Sequence, residues 1–139
     1  MIILDTNVLS ELMKRAPAPQ VVEWIGAQPA ASLYTTSITQ AEILHGLMLL
    51  PPGRRRSALE AAATSMFAEE FAGRILGFGT DAAPPYARIA SDRRRAGRPI
   101  SHFDAQIAAI ARSTGATIAT RNLADFGGCG VTLVDPWRS

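Results

Sequence analysis

Asp5, Glu42, Asp104 and Asp125 are the residues of this chain best able to do chemistry together. Asp5 directly follows the apolar run Ile2-Ile3-Leu4 and opens the tripeptide Asp5-Thr6-Asn7. The run reads as a first, buried strand, and a helical pattern begins right after it, with Val8, Leu9, Leu12 and Met13 on one face. A carboxylate therefore stands where a strand hands over to a helix, the edge at which open parallel α/β sheets bind ligands. Glu42, Asp104 and Asp125 occupy comparable positions. Four carboxylates gathered at one edge repel one another unless a cation lies between them. Hard oxygen donors in that number suit Mg²⁺ or Mn²⁺ rather than zinc.

Each acid also has a plainer explanation. Thr39-x-x-Glu42, Ser37-x-x-Gln40 and Ser101-x-x-Asp104 all have the form of a helix capping box. Asp5 can cap the helix that starts at Thr6, and Asp125 can cap a turn. An acid in a helix's first turn is favoured by the macrodipole in any case. The combination argues for chemistry, because separate segments bring acids to one expected edge.

The elements that must position these residues follow from pattern. Ala16-Pro17-Ala18-Pro19 ends the first helix and starts a second through Val21, Val22, Trp24 and Ile25. Ser32 to Thr36 reads as a strand, and Ser37 opens a helix that Pro51-Pro52-Gly53 stops. Arg54 to Glu70 reads as a long amphipathic helix, and Ile75 to Phe78 as a short strand. Asp81 to Arg95 is expected to be helical, with Asp81 as N-cap and Pro84 and Pro85 in the first turn. Ser101 begins a helix that runs to Thr114, with Gly115 as its C-cap. Thr117 to Thr120 and Val131 to Val134 are the last two strands. Strands alternating with helices imply an α/β fold, a three-layer α/β/α sandwich around a mainly parallel sheet. Right-handed crossovers then place every strand-to-helix junction on the same edge.

With 139 residues, the chain is expected to form a single domain over residues 1–139. It is 47% hydrophobic and 19% charged, as soluble globular proteins are. The single Cys129 excludes an intrachain disulfide framework and suits a reducing cytoplasm. It reads as a bystander in a glycine-rich turn. No signal peptide and no membrane span is expected. Net charge is only +2, yet with four of the 12 acids gathered in one pocket, the 14 basic residues outnumber the acids left outside. A basic exterior around an acidic hole suits a nucleic-acid enzyme that uses metal, although a solvated mixed surface fits the charge equally. His45 and His102 are not in ligand spacing with each other.

Four segments together resemble the successive motifs of a PIN domain. They are Met1-Ile-Ile-Leu-Asp5-Thr-Asn7-Val-Leu-Ser-Glu, Thr36-Ser-Ile-Thr-Gln-Ala-Glu42-Ile-Leu-His-Gly, Arg98-Pro-Ile-Ser-His-Phe-Asp104-Ala-Gln-Ile-Ala-Ala and Ala119-Thr120-Arg-Asn122-Leu-Ala-Asp125-Phe. The likeness extends to Val134-Asp-Pro-Trp137 and fits best the VapC/FitB-type toxins of type II toxin–antitoxin systems. It implies a compact bacterial ribonuclease held inactive by a cognate antitoxin, as a homodimer or a toxin–antitoxin hetero-oligomer, with RNA as substrate. Asp5, Glu42 and Asp104 match the family's near-invariant acids and Asp125 the more variable fourth. Asn7, Thr120 and Asn122 match the polar residues that support the site. On this reading Asp5 and Asp104 would hold a divalent ion for phosphodiester hydrolysis, and Glu42 would hold a second ion or orient the attacking water. Thr120 and Asn122 would hydrogen-bond the carboxylates. Arg54-Arg55-Arg56, and Arg93-Arg94-Arg95 with Arg98, can hold RNA phosphates or an acidic antitoxin segment.

Two other classes compete. In a non-catalytic binding module that regulates through a partner protein, the acids would only cap helices. A phosphotransfer or phosphohydrolase domain with a nucleophilic Asp5 usually needs a second acid two residues later and a nearby lysine. Here that position is Asn7, and the only lysine is Lys14.

Overall fold

Ile3 and Leu4 are neighbours in sequence, both are fully buried, and they belong to different cores. Side chains alternate across a strand, so a strand that is apolar on both faces must be covered on both. That strand is β1 (Ile2–Leu4), the middle of a five-stranded sheet in the computed structural model, which describes residues 1–138. The order is β3 (Ile75–Leu76), β2 (Leu33–Thr36), β1, β4 (Thr117–Ala119), β5 (Thr132–Val134), and every pair is parallel. Helices α1 (Thr6–Leu12), α2 (Pro19–Gly26), α3 (Ser37–Met48) and α4 (Arg54–Ser65) supply the core around Leu4, Leu9, Val21 and Ile43. Helices α5 (Ala83–Arg95) and α6 (His102–Thr114) supply the other, around Ile3, Ile89, Ile107 and Ile118. This is the expected three-layer α/β/α sandwich.

The strand order fixes where a site can form. The chain steps outward from β1 to β2 to β3, then returns across β1 to β4 and β5. The reversal lies between β1 and β4, and ligands bind open sheets in the crevice beyond the strand ends at such a switch. Asp5 N–H donates to the Ala119 carbonyl at 3.0 Å, so the first residue past β1 is still laced to the end of β4. Helix α6 begins at the same edge. Its N-cap Ser101 accepts the Asp104 N–H at 3.1 Å, and it ends at Gly115 with φ 71°, a left-handed turn that glycine adopts without strain. Its buried face is mostly alanine, which lets helix and sheet approach closely.

Local details depart from expectation for identifiable reasons. Asp81 does not cap α5. A 3₁₀ turn, Thr80–Ala82, precedes the helix, and Ala82 occupies the N-cap without a side-chain bond. With Asp81 as the cap, the N–H groups to be accepted are those of Ala83 and Pro84; the first donates to the Thr80 carbonyl within the 3₁₀ turn, and proline has none. The long helix from Arg54 ends at Ser65 and opens into a π-type turn, Met66–Glu70, closed by Phe71 N–H to the Met66 carbonyl at 3.0 Å. The wider turn brings the adjacent Met66 and Phe67, together with Phe71, into one core. Only Ala63 of α4 is fully buried, so that helix is less amphipathic than its pattern suggested. The third strand stops at Leu76, short of Phe78. No helix among the described residues is long and apolar enough to cross a membrane.

Candidate active site

Asp5 is the N-cap of α1, with extended backbone, and its Oδ1 accepts the Thr6 N–H at 2.8 Å. Its Oδ2 accepts the Thr120 hydroxyl at 2.8 Å. A hydroxyl has one proton to give and two lone pairs to offer. The two lone pairs of Thr120 are taken by Asn7 Nδ2 and the Asn122 N–H, both at 3.2 Å. Asn7 Oδ1 in turn accepts the Arg121 N–H at 3.3 Å. The loops after β1 and β4 are thus stitched into one unit. Asn122 supports Thr120 through its main chain; its side chain makes no hydrogen bond to a carboxylate among the described residues, contrary to expectation.

Glu42 lies within α3 and caps nothing. The cap of α3 is Thr36, which accepts the Thr39 N–H at 3.1 Å, so neither Thr39-x-x-Glu42 nor Ser37-x-x-Gln40 is the capping box. Instead the Thr6 hydroxyl donates to Glu42 Oε1 at 2.9 Å and shares a 3.1 Å bond with the Thr39 hydroxyl. From sequence, Thr39 is only a candidate helix cap and Thr6 has no role. Thr6 immediately follows the first acid, and that adjacency was the only available signal. Asp104 comes from the first turn of α6, and Asp125 from a 3₁₀ turn, Leu123–Phe126, after β4.

All four acids line one open cavity of about 490 Å³. Thr6, Glu11, Lys14, Arg121 and Trp137 share its wall. Glu11 is committed elsewhere: it pairs with Lys14 at 2.9 Å and accepts the Ala18 N–H at 3.0 Å, which hold its carboxyl below the usual range. The Arg121 guanidinium rests over the Trp137 ring, 5.0 Å from its centroid. A second hollow of about 530 Å³ between α1, α2 and α4 is walled chiefly by Leu, Met, Ile and Phe and offers no comparable set of acids. Neither histidine lines the acidic cavity: His102 Nδ1 bonds Tyr86 Oη at 2.7 Å, and His45 is exposed on α3. Cys129 is buried and burial raises its thiol pKa, as suits a bystander.

The acids disturb one another. Burial, with repulsion from Asp104 and Glu42, pushes Asp5 up to about 6 despite the bonds from Thr120 and Thr6. Glu42 is raised by burial and then by Asp104. Asp104 is raised by burial and then by Asp125, against the opposing pull of Ser101 and Arg93. Among the described residues no three His, Cys, Asp or Glu side chains are placed to hold an ion together as they stand. The carboxylates face a common space without meeting at one point. The donor chemistry nevertheless fits Mg²⁺ or Mn²⁺, because these are anionic oxygens whose mutual repulsion a divalent charge relieves.

These shifts give a signed expectation for the metal-free protein. A carboxyl whose folded pKa exceeds its unfolded value stabilises the fold below the unfolded pKa and loses that contribution as pH rises through the folded one. For Asp5 the window runs from 3.8 to about 6. A shift of that size corresponds to roughly 3 kcal/mol. Urea unfolding with chelator present, between pH 4 and 7, should show wild type losing stability relative to Asp5→Asn across the window. Parallel curves for the two proteins would contradict the assignment.

The strand order and the acids at its switch point define the class, and the chain belongs to the PIN domain family, whose model matches residues 2–126. It is 39% identical to the VapC ribonuclease Y4jK of Sinorhizobium fredii over 138 residues, covering 99% of each chain. It is 36% identical to the toxin FitB of Neisseria gonorrhoeae, again over 138 residues and 99% of each. The crystal structure of FitAcB from Neisseria gonorrhoeae superposes with a TM-score of 0.93 at 36% identity, covering all of both chains. Within the family the chain sits in the VapC/FitB toxin–antitoxin branch of PIN-domain nucleases.

Proposed function

We propose that this protein is a Mg²⁺- or Mn²⁺-dependent endoribonuclease, the toxin of a type II toxin–antitoxin pair restrained by a cognate antitoxin. The observation that carries this reading is the convergence of Asp5, Glu42, Asp104 and Asp125, from four separate segments, on one cavity. An ion bound there would supply Lewis-acid activation of water and neutralise phosphate charge. The chain's own part is to hold the donors. Asp5 has each oxygen fixed by one hydrogen bond, which leaves each a further lone pair. The Thr6 hydroxyl holds Glu42 in the same way. Lys14 and Arg121 line the acidic cavity, Arg55 lines the adjoining cleft, and all three would meet RNA phosphates. A binding module whose acids only cap helices accounts for Asp5 and the Ser101–Asp104 cap, but not for Glu42.

The test is end-mapped RNA cleavage by antitoxin-free protein with and without Mg²⁺. A substrate carrying one 2′-deoxy sugar just 5′ of the cut should still be cleaved, leaving a 5′-phosphate and a 3′-hydroxyl. Chelation should stop the reaction, and the double change His45→Ala with His102→Ala should leave it within about tenfold, since neither ring lines the cavity. Products ending in a 2′,3′-cyclic phosphate, formed in chelator, would instead mean attack by the RNA's own hydroxyl.

A further inference from the structure

Arg93 belongs to the basic run read from sequence as able to hold RNA phosphates or an acidic antitoxin segment, but it is only 7% exposed. It has no ion-pair partner among the described residues. A buried guanidinium is costly unless its N–H groups are answered. Here main-chain carbonyls answer those of Nε and Nη1. Nε donates to the Arg98 carbonyl at 2.6 Å, and Nη1 donates to the carbonyls of Asp125 at 3.0 Å and Gly127 at 2.8 Å. One side chain thus ties the end of α5 to the loop that carries the fourth acid. Arg98 adds a weaker grip on the same loop, donating to the Ala124 carbonyl at 3.3 Å.

The four acids are not held alike. Asp5 and Glu42 accept hydrogen bonds from threonine hydroxyls, and Asp104 sits beside the Ser101 cap. The Asp125 carboxylate accepts no hydrogen bond from the described residues. Its direction is therefore set by its main chain, and Arg93 grips that main chain at Asp125 itself and again two residues on. We propose that Arg93 is the positioning residue for Asp125, a buried clamp that aims the fourth carboxylate into the cavity and places a permanent positive charge behind the acids. The electrostatic half agrees with Asp104, whose carboxyl is held lower by Arg93 than burial alone would leave it. The proposal rests on the ribonuclease reading for its functional half; the clamp itself does not.

Two readouts test it. Arg93→Met keeps the unbranched apolar stem of the side chain and removes its donors and charge. Amide hydrogen exchange over residues 122–130 should speed up by at least about tenfold, while the interior of α6 keeps its protection. Mg²⁺-dependent cleavage should fall about 10–100-fold, the usual scale for a group that supports a ligand. In an Asp125→Asn background the same change should cost at least about threefold less than with Asp125 present, because residues acting as one unit do not add, and what remains is the loss of the positive charge near Asp104. The melting shift given by Mn²⁺ should show the same non-additivity across the four proteins. Equal losses in both backgrounds, or unchanged loop exchange, would overturn the clamp. Wild type that never cleaves RNA with Mg²⁺ would instead overturn the ribonuclease reading, and loop exchange would still decide the clamp. If Arg93→Met does not fold, Arg93→Lys serves. An ammonium cannot span the carbonyls as the planar fork does, so loop exchange should lie between wild type and global opening. Wild-type exchange in Arg93→Lys would overturn the proposal.

Discussion

Replacing Asp104 by Asn will reduce RNA cleavage by at least about 10³-fold, the scale of losing a group that acts on the reacting centre, without loosening the metal-free fold. The two halves have separate causes. The amide keeps the volume and leaves the Ser101 hydroxyl free to accept the N–H of residue 104, so α6 still starts properly. It removes a charge that Asp125 already opposes and that in turn pushes Asp5 and Glu42 upward. Melting of Asp104→Asn in chelator should match or slightly exceed wild type, and its cleavage should be near background. An active Asp104→Asn protein would reduce the residue to a helix-capping role.

Saturating Mg²⁺ or Mn²⁺ should raise the melting temperature of wild type by about 5–10 °C at constant ionic strength. A ligand at 100 times its dissociation constant contributes about 2.7 kcal/mol, and a domain of this size moves a few degrees per kcal/mol. The shift should grow as pH rises through about 6, because Asp5 then carries the charge that an ion would balance. It should shrink in Asp104→Asn. A melting curve indifferent to the ion across that range would count against the metal reading.

Much of this architecture was legible because its signals are local. An apolar run ending in Asp5 announces a strand end, and Ser101 with Gly115 brackets a helix whichever way it packs. The layers followed from the alternation of strands and helices. What was not legible depends on long-range partners. Thr6 looks like any residue in a helix's first turn until Glu42, 36 positions away, is seen to accept its hydroxyl. Asp81 was misread because a capping rule was applied without asking whether Pro84 had a proton to give and whether that of Ala83 was already taken. Arg93 was misread because a run of like charges suggests a solvated face, whereas a helix turns each successive residue by about 100° and can bury one of three. The gathering of the acids required only that strand ends share an edge. The strand order, which puts β1 against β4, could not be deduced from pattern.

That pairing has a consequence in time. The bond from Thr120 to Asp5 joins residues 115 positions apart. At about 5–20 residues per second, the ribosome makes the second partner roughly 6–23 s after the first. Throughout that interval one edge of β1 has no neighbour, Asp5 lacks its hydroxyl donor, and neither Asp125 nor the carbonyl that Arg93 grips at that residue exists. A nascent chain therefore carries no assembled site, however much of its N-terminal half has folded. On the reading proposed above, RNA near the translating ribosome meets no assembled site before the last strands emerge, and a restraining partner has that long to arrive.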